Sequence, residues 1–324
     1  MKAFIILLST FILCLAGCSS TTEQSDMSKW MEKNGKVKVL CTTAIIEDLV
    51  AQIGGPHIDH ISLIIGQMDP HSYELVKGDN EKISLAGLIF SHGLGLEHGA
   101  SLHYQLQHHP NVVSLGDEIR KSTPEKILFV EGQLDPHVWM DISLWSGAVD
   151  PIVKALSEKD PAHATIYQEN GKAVLQEMRA VHEELKEKIH QVPLEKRYLV
   201  TSHDAFHYFT QAYLGDDLSW QERCQAPEGL APDGQLSTAD IQRIIDHLFA
   251  HRIAVVFPES NVSKDALKKI VSSCAKKGLQ VRISDQSLYG DAMGGVNSDA
   301  NSYLGMIRHN VIVLIKEWSD ERPQ

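Results

Sequence analysis

The sequence has little of what nucleic-acid-binding, membrane-spanning and common catalytic proteins need. Its 30 basic residues are outnumbered by 42 acidic ones, and the formal net charge of -12 disfavours contact with a polyanion. After the first apolar segment, no run approaches the roughly 18 apolar residues of a membrane span. The chain also contains no Gly-x-Ser-x-Gly elbow, His-Glu-x-x-His helix or Gly-Lys-Ser phosphate loop, so the common hydrolase and nucleotide-binding routes lack their residues.

The first eighteen residues indicate export. Lys2 precedes an apolar run over residues 4–15, and Leu15-Ala16-Gly17-Cys18 combines small residues with a thiol. This pattern is typical of a bacterial lipoprotein signal that is removed, leaving Cys18 as a lipidated N-terminus; an ordinary secretory signal with Cys18 as a bystander is the alternative. We expect a signal peptide over residues 1–17, a polar tether over 18–34, and a mature protein anchored to the membrane on the periplasmic side.

Cysteine is scarce, with five residues in the chain. Cys14 lies in the signal and Cys41 lies in an apolar strand, where it is best interpreted as a small buried hydrophobe. Disulfides form in oxidising export compartments. The sequence therefore predicts a possible Cys224–Cys274 disulfide in the second half.

The fold class follows from the length of the chain and from the alternation of strand-like and helical segments. About 295 residues after the signal exceed one comfortable core and predict two lobes. Strand-like runs alternate with helical stretches, which predicts α/β lobes, each with a mostly parallel sheet flanked by helices. Apolar residues at helical spacing from 160 to 190 predict one helix of about 30 residues, a rigid strut between the lobes. We expect an N-terminal lobe over 35–160, a linking helix over 161–192 and a C-terminal lobe over 193–324.

Three histidines follow similar local patterns. Asp69-Pro70-His71 and Asp135-Pro136-His137 each place a histidine after a proline, and Thr201-Ser202-His203 places another after an apolar run. Proline fixes its own φ, so the imidazole is presented from a stiff turn. For one copy alone, a turn with an incidental histidine is the ordinary interpretation. Two copies and a third histidine favour a metal site built from distant loops.

An acidic fourth ligand would complete such a site for zinc, iron or manganese. The candidates after the third histidine are Asp204, Glu259, Asp285 and Asp291. Asp291 is favoured because glycines flank its loop, although a loop aspartate is more often a cap or turn former. His207 shares a helix face with His203, but its phenylalanine neighbours favour a core hydrogen bond over metal ligation.

Five motifs together resemble the metal-binding solute-binding lipoproteins of ABC transporters, the TroA/ZnuA-like family, and most of all its chlamydial branch. The similarity spans residues 35–318 and rests on Asp69–Glu74, Gly93–Glu97, Asp135–Trp139, Thr201–Phe206 and Asp291–Gly294. It implies a single divalent ion in the cleft between two lobes that one long helix joins.

The ligand set that the resemblance implies is His71 and His137 from the first lobe with His203 and Asp291 from the second. Asp285 is the rival fourth ligand, because Ser284–Ser287 replaces a Gly-Gly-Glu-like run of the family with one extra residue. The long His- and acid-rich loop of dedicated zinc members is missing after His71. The implied ion is therefore zinc, manganese or iron.

The function expected from these features is capture of the ion and its delivery to an ABC transporter permease, without catalysis. Two other classes remain open. A zinc-type metallohydrolase would need a base, for which Glu74 and Glu259 are the candidates, and a surface adhesin would use the metal structurally. A monomer is the default expectation.

Overall fold

The computed structural model describes residues 27–215, 218–232 and 236–319. The chain divides into a short unit that ends at Asn34 and a main unit that starts at Gly35. In the short unit, residues 27–30 form a helical turn. The expected signal peptide, the lipidation site Cys18 and most of the expected tether lie outside the described residues.

A four-stranded parallel sheet forms the first half of the main unit. Its order is β2-β1-β3-β4, and the bounds are β1 Val37–Thr43, β2 Ile58–Ile64, β3 Leu88–Ser91 and β4 Val112–Ser114. The central strand β1 is buried from Val39 to Thr43, as expected for a parallel strand covered on both faces. The connecting helices are α1 Ala44–Gly54, α2 Asp79–Leu85, α3 Ala100–His108 and α4 Leu115–Ser122.

A short hairpin follows this sheet. Strand β5 (Phe129–Val130) pairs antiparallel with β6 (Gln133–Leu134). The two residues between them, Glu131 and Gly132, have φ of 50° and 83°, as a tight type I′ turn requires. The hairpin ends directly before the second Asp-Pro-His motif, and two helices follow that motif, α5 Ile142–Trp145 and α6 Val149–Lys159.

The long helix α7 runs over Ala164–Ile189, 26 residues. One face carries the buried residues Tyr167, Val174, Met178, Val181 and Leu185, which is the predicted three-to-four spacing. Gly171 lies on the same face, and a Cβ at that position would come within 2.6 Å of Val153 Cγ2 in α6. The glycine therefore permits close packing of α6 against α7.

The second half repeats the parallel arrangement with very short strands. β7 (Leu199–Val200) pairs with β8 (Cys224–Gln225), and β9 (Val255–Val256) pairs with β10 (Arg282–Ile283). Phe257 N donates to Val200 O at 2.8 Å and thereby joins the two pairs. The helices are α8 His207–Phe209, continued by a π-helical turn over Thr210–Leu214, then α9 Thr238–His251, α10 Asp265–Lys276 and α11 Tyr303–Ser319.

Two hydrophobic clusters contradict the predicted disulfide. Cys224 belongs to the larger cluster, which contains residues of both halves, whereas Cys274 belongs to a smaller cluster formed by residues of the second half. Both thiols are free and buried, as is Cys41. The Cys224–Cys274 prediction was wrong because the two side chains pack in different cores. Among the described residues, no helix is long and apolar enough to cross a membrane.

Candidate metal centre

The two Asp-Pro-His motifs form matching turns. In each, the aspartate accepts a hydrogen bond from the histidine backbone, from His71 N to Asp69 Oδ1 at 2.9 Å and from His137 N to Asp135 Oδ1 at 3.0 Å. An aspartate that bonds the backbone two residues on is the usual device that fixes such a turn. The stiff presentation expected from the sequence is therefore built from both the proline and the aspartate.

The two aspartates differ in what else they hold. Asp135 Oδ1 also accepts from the ring, with His137 Nδ1 at 2.7 Å, and its Oδ2 lies 3.1 Å from His207 Nδ1. Asp69 instead bonds the backbone and hydroxyl of Ser72. An Nδ1–H that donates to Asp135 leaves His137 Nε2 free to bind a metal, and the carboxylate makes that nitrogen more basic.

His203 follows β7 and rests on Glu259. Glu259 Oε1 accepts from Ser202 N at 2.9 Å and His203 N at 2.8 Å. Its Oε2 lies 2.8 Å from His203 Nδ1, the distance of an ion pair when the imidazole is protonated. Glu259 is thus a second buried carboxylate that contacts the Nδ1 of a candidate ligand, and the Nε2 of His203 lies on the opposite side of the ring.

Asp291 lies in the loop that follows β10. Asn261 Nδ2 donates to Asp291 Oδ2 at 3.2 Å, and Trp139 Nε1 donates to the preceding carbonyl, Gly290 O, at 2.9 Å. A Cβ at Gly290 would come within 2.5 Å of Glu259 Oε2. Glycine is therefore required where the loop passes the carboxylate behind His203.

The four side chains meet in one buried cluster. One ligand atom from each of His71, His137, His203 and Asp291 lies within 4.8 Å of all the others. The measured separations are 3.3 Å between His71 Nε2 and His137 Nε2, and 3.9, 3.5 and 3.2 Å from the three Nε2 atoms, in chain order, to Asp291. Four tetrahedral donors at about 2.1 Å from one ion are about 3.4 Å apart, so the cluster has the dimensions of a metal site.

Two atoms of the cluster, His203 Nε2 and Asp291 Oδ1, are buried without a hydrogen-bond partner. A buried polar atom without a partner costs about 1–3 kcal/mol, and such atoms are rare in native proteins. A bound cation would satisfy both. The donor set of three imidazoles and one carboxylate also matches the ligands that zinc, iron and manganese accept.

The carboxylates set the protonation of the cluster. Burial alone lowers the pKa of His137, but Asp135 and Asp291 outweigh it and raise that pKa to about 9. Burial likewise opposes protonation of His203, whose pKa Glu259 and Asp291 nevertheless raise well above its usual value. Burial keeps the pKa of His71 well below its usual value. Burial also raises the pKa of Asp291, but the imidazoles beside it drive the net shift far downward.

The other candidates lie outside the cluster. Asp285 is exposed. Asp204 Oδ1 lies 3.8 Å from His207 Nε2, and His207 is bound to Asp135, which agrees with the core hydrogen bond expected for it. Glu259 lies behind His203 on the side of its Nδ1. The structure therefore brings Asp291, and none of its three rivals, together with the three histidines.

Sequence reasoning missed the role of the two supporting carboxylates. The sequence offers Glu259 as a candidate ligand or base and Asp135 only as part of a turn. The sequence signal for Asp135 is its position two residues before a candidate ligand. Asp69 occupies the same position before His71, but its carboxylate does not bond the imidazole ring. Asp135 also has a partner that only tertiary packing supplies, because His207 approaches it from a helix 72 residues away in sequence.

Replacement of Asp135 with asparagine is expected to weaken Zn²⁺ binding by about 10- to 100-fold, because the carboxylate that orients the His137 ring is lost. Asp69→Asn is the matched control: it alters the same motif position, where the side chain contacts only the turn, and should change affinity by less than about threefold. Competition titration against a chelating dye measures both. Equal losses in the two variants would contradict a special role for Asp135.

An α/β fold with a long helix and a buried cluster of three imidazoles and one carboxylate defines a metal-binding protein, and sequence comparison gives its family. Residues 39–317 match the family model described as ZnuA, zinc-uptake complex component A, periplasmic. The chain belongs to this family of metal-binding solute-binding proteins, which confirms the resemblance seen in its motifs.

Relatives in two organisms show how far the similarity extends. The chain is 38% identical over 311 residues to the metal-binding protein YtgA of Chlamydia trachomatis, covering 94% of this chain and 93% of YtgA. It is 31% identical over 319 residues to the manganese-binding lipoprotein MntA of Bacillus subtilis, covering 96% of each.

Solved structures show the same fold. The crystal structure of Fe(III)-bound YtgA from Chlamydia trachomatis superposes with a TM-score of 0.82 at 37% identity, covering 87% of this chain and 97% of YtgA. The periplasmic zinc-binding protein TroA of Treponema pallidum gives 0.81 at 27% identity, covering 88% of this chain and all of TroA. The similarity confirms the predicted α/β architecture with its long helix.

Proposed function

We propose that this protein captures one transition-metal ion at His71, His137, His203 and Asp291 and delivers it to the permease of an ABC importer. The observation that carries the proposal is the convergence of four buried donor groups from two halves of the fold, within 4.8 Å of one another. Ligands from both halves allow binding and release to be coupled to small movements between them.

The proposed substrate is Zn²⁺, Mn²⁺ or an iron ion. Imidazole and carboxylate donors suit all three, and selection among them depends on geometry and availability as well as on ligand type. The names of the relatives span the same group, since MntA is called manganese-binding, TroA zinc-binding and one YtgA structure Fe(III)-bound. The missing His- and acid-rich loop after His71 favours a protein that is not a dedicated zinc carrier.

We further propose that the protein works as a monomer on the periplasmic side of the membrane, anchored through a lipid on Cys18. The sequence around Cys18 supports the anchor. MntA of Bacillus subtilis is called a lipoprotein and the family model is described as periplasmic, which supports the location. A tethered carrier stays close to its permease, so the ion travels a short distance.

The hydrolase alternative lacks a base. Glu74 accepts from Ala100 N and Ser101 N at 2.6 and 2.8 Å, at the start of α3. Glu259 is occupied by two backbone N–H groups and His203. A catalytic metal site needs an open coordination position and a base that reaches the bound water, and both candidate bases are engaged elsewhere. Nothing in the described residues favours the adhesin alternative either.

Affinity for metal is expected to fall as the pH falls. His137, with a pKa of about 9, holds a proton at neutral pH in the metal-free protein, and the raised pKa of His203 has the same effect. Metal must displace these protons. The dissociation constant should therefore rise about 10-fold for each unit by which the pH is lowered, for each proton displaced. Zn²⁺ titrations at pH 6, 7 and 8, corrected for the competing chelator, measure the slope. A constant affinity would contradict the proposed protonation of the cluster.

Delivery is tested by uptake in cells. Deletion of the gene should lower the accumulation of a radioactive tracer of Zn²⁺, Mn²⁺ or iron, and the wild-type gene should restore it. His71→Ala should fail to restore uptake while the protein is still present in the envelope at wild-type level. Full restoration by His71→Ala, or unchanged accumulation of all three tracers after deletion, would contradict the proposal.

A further inference from the structure

One exposed hydrogen bond joins the two loops that carry metal-site residues. Gln67 Nε2 donates to Met293 O at 2.8 Å, between residues 226 positions apart in sequence. Gln67 precedes His71 by four residues and Met293 follows Asp291 by two. The bond therefore connects the loop of a first-half ligand to the loop of a second-half ligand.

This bond differs from a buried link near the site. Trp139 Nε1 donates to Gly290 O at 2.9 Å, and Tyr303 OH donates to Trp139 O at 2.7 Å. Both of these bonds are buried, whereas the Gln67 bond is solvent-exposed. Water competes for exposed donors and acceptors, so the Gln67 bond breaks at low cost while the buried pair stays formed.

The loops around the exposed bond contain glycines and exposed apolar side chains. Gly66 has φ of +64°, and neither Gly66 nor Gly295 would bring a Cβ within 4 Å of another residue. Apolar side chains stand exposed on both sides, with Met68 at 38% and Val296 at 87%. Glycines without neighbouring atoms absorb backbone rotation. We call residues 66–68 and 293–296 the rim. The side chain of His71, four residues after Gln67, is only 2% exposed.

We propose that Gln67 is a latch that controls the passage of metal ions between solvent and the site. The latch rests on the proposed function, since it needs an ion that enters and leaves. With the bond formed, the rim covers His71; with it broken, the two loops separate while the Trp139–Gly290 link holds the halves together. Because the rim lies on the path in both directions, loosening it accelerates entry and exit alike and leaves the dissociation constant nearly unchanged.

The test uses the full chain and Zn²⁺ alone, with association and chelator-driven dissociation followed by stopped flow. Gln67→Glu keeps the shape but replaces the donor with an acceptor. Its association and dissociation rates should both rise about 2- to 10-fold, the range expected for loss of one modest hydrogen bond, with the dissociation constant within about twofold of wild type. Gln67→Lys restores a donor to Met293 O and should return both rates to within about twofold of wild type.

The two variants also separate the latch from simple electrostatics. An added carboxylate near the site would slow the release of a cation and an added ammonium would speed it, the reverse of the order that the latch predicts. Gln242→Glu is the control for added charge. Gln242 is exposed on helix α9, where it bonds Asp246, and this variant should leave the rates unchanged.

Unchanged rates in Gln67→Glu, or the order that electrostatics predicts, would overturn the latch alone. A wild-type chain that takes up no Zn²⁺, Mn²⁺ or iron would overturn the proposed function and the latch with it.

Discussion

The His203→Ala variant is expected to bind Zn²⁺ at least about 10-fold more weakly than wild type, because one of four donors is lost. A second effect adds to this. Glu259 Oε2, now 2.8 Å from His203 Nδ1, would be left as a buried carboxylate oxygen without a cation, which destabilises the fold. The loss of affinity and the loss of stability have different causes, and the measurement must separate them.

The double variant His203→Ala with Glu259→Gln makes that separation. Removing the orphaned charge should recover most of the thermal stability, while Zn²⁺ affinity stays low because the donor is still missing. His108→Ala is the matched control, since His108 lies exposed on α3 with its ring against Tyr104 O, and it should bind like wild type. Wild-type affinity in the double variant would contradict the assignment of His203 as a ligand.

Saturation with metal should raise the melting temperature by several degrees. An ion present at 1,000 times its dissociation constant stabilises the folded state by about 4 kcal/mol, and each kcal/mol shifts the melting temperature by about 2 °C in a chain of this size. We therefore expect a rise of about 8 °C, measured by calorimetry and reversed by a chelator that leaves the protein folded.

The Asp291→Asn variant should lose most of this rise. Asparagine keeps the shape of the loop but supplies no negative charge, and Asp291 is the only carboxylate among the four convergent residues. Asp285→Asn is the control. Asp285 is the rival fourth ligand that the sequence offers, but its side chain is exposed. An undiminished rise in Asp291→Asn, or loss of the rise in Asp285→Asn, would contradict the ligand set.

His71 and His137 were predictable as candidate ligands because each ends an Asp-Pro-His motif. The turn geometry is fixed by the residues of the two motifs themselves, Asp69-Pro70-His71 and Asp135-Pro136-His137, since proline and aspartate both restrict a turn. The choice of Asp291 over Asp285 used loop context and family resemblance. In the structure, Asp291 lies against the histidines and Asp285 does not.

What the sequence could not show depends on contacts between distant elements. The contact of Glu259 with His203 exists because β9 lies beside β7, and no local pattern in either segment encodes that neighbour. The disulfide prediction failed for the same reason, because an oxidising compartment does not determine which core each thiol enters.

The most direct test is anomalous scattering from crystals of the protein loaded with Zn²⁺, collected above and below the zinc absorption edge. The account predicts one strong anomalous peak per chain, within about 2.0–2.2 Å of the Nε2 atoms of His71, His137 and His203 and a carboxylate oxygen of Asp291. A peak at any other residues, or no peak in a protein that binds one equivalent of Zn²⁺ in solution, would contradict it.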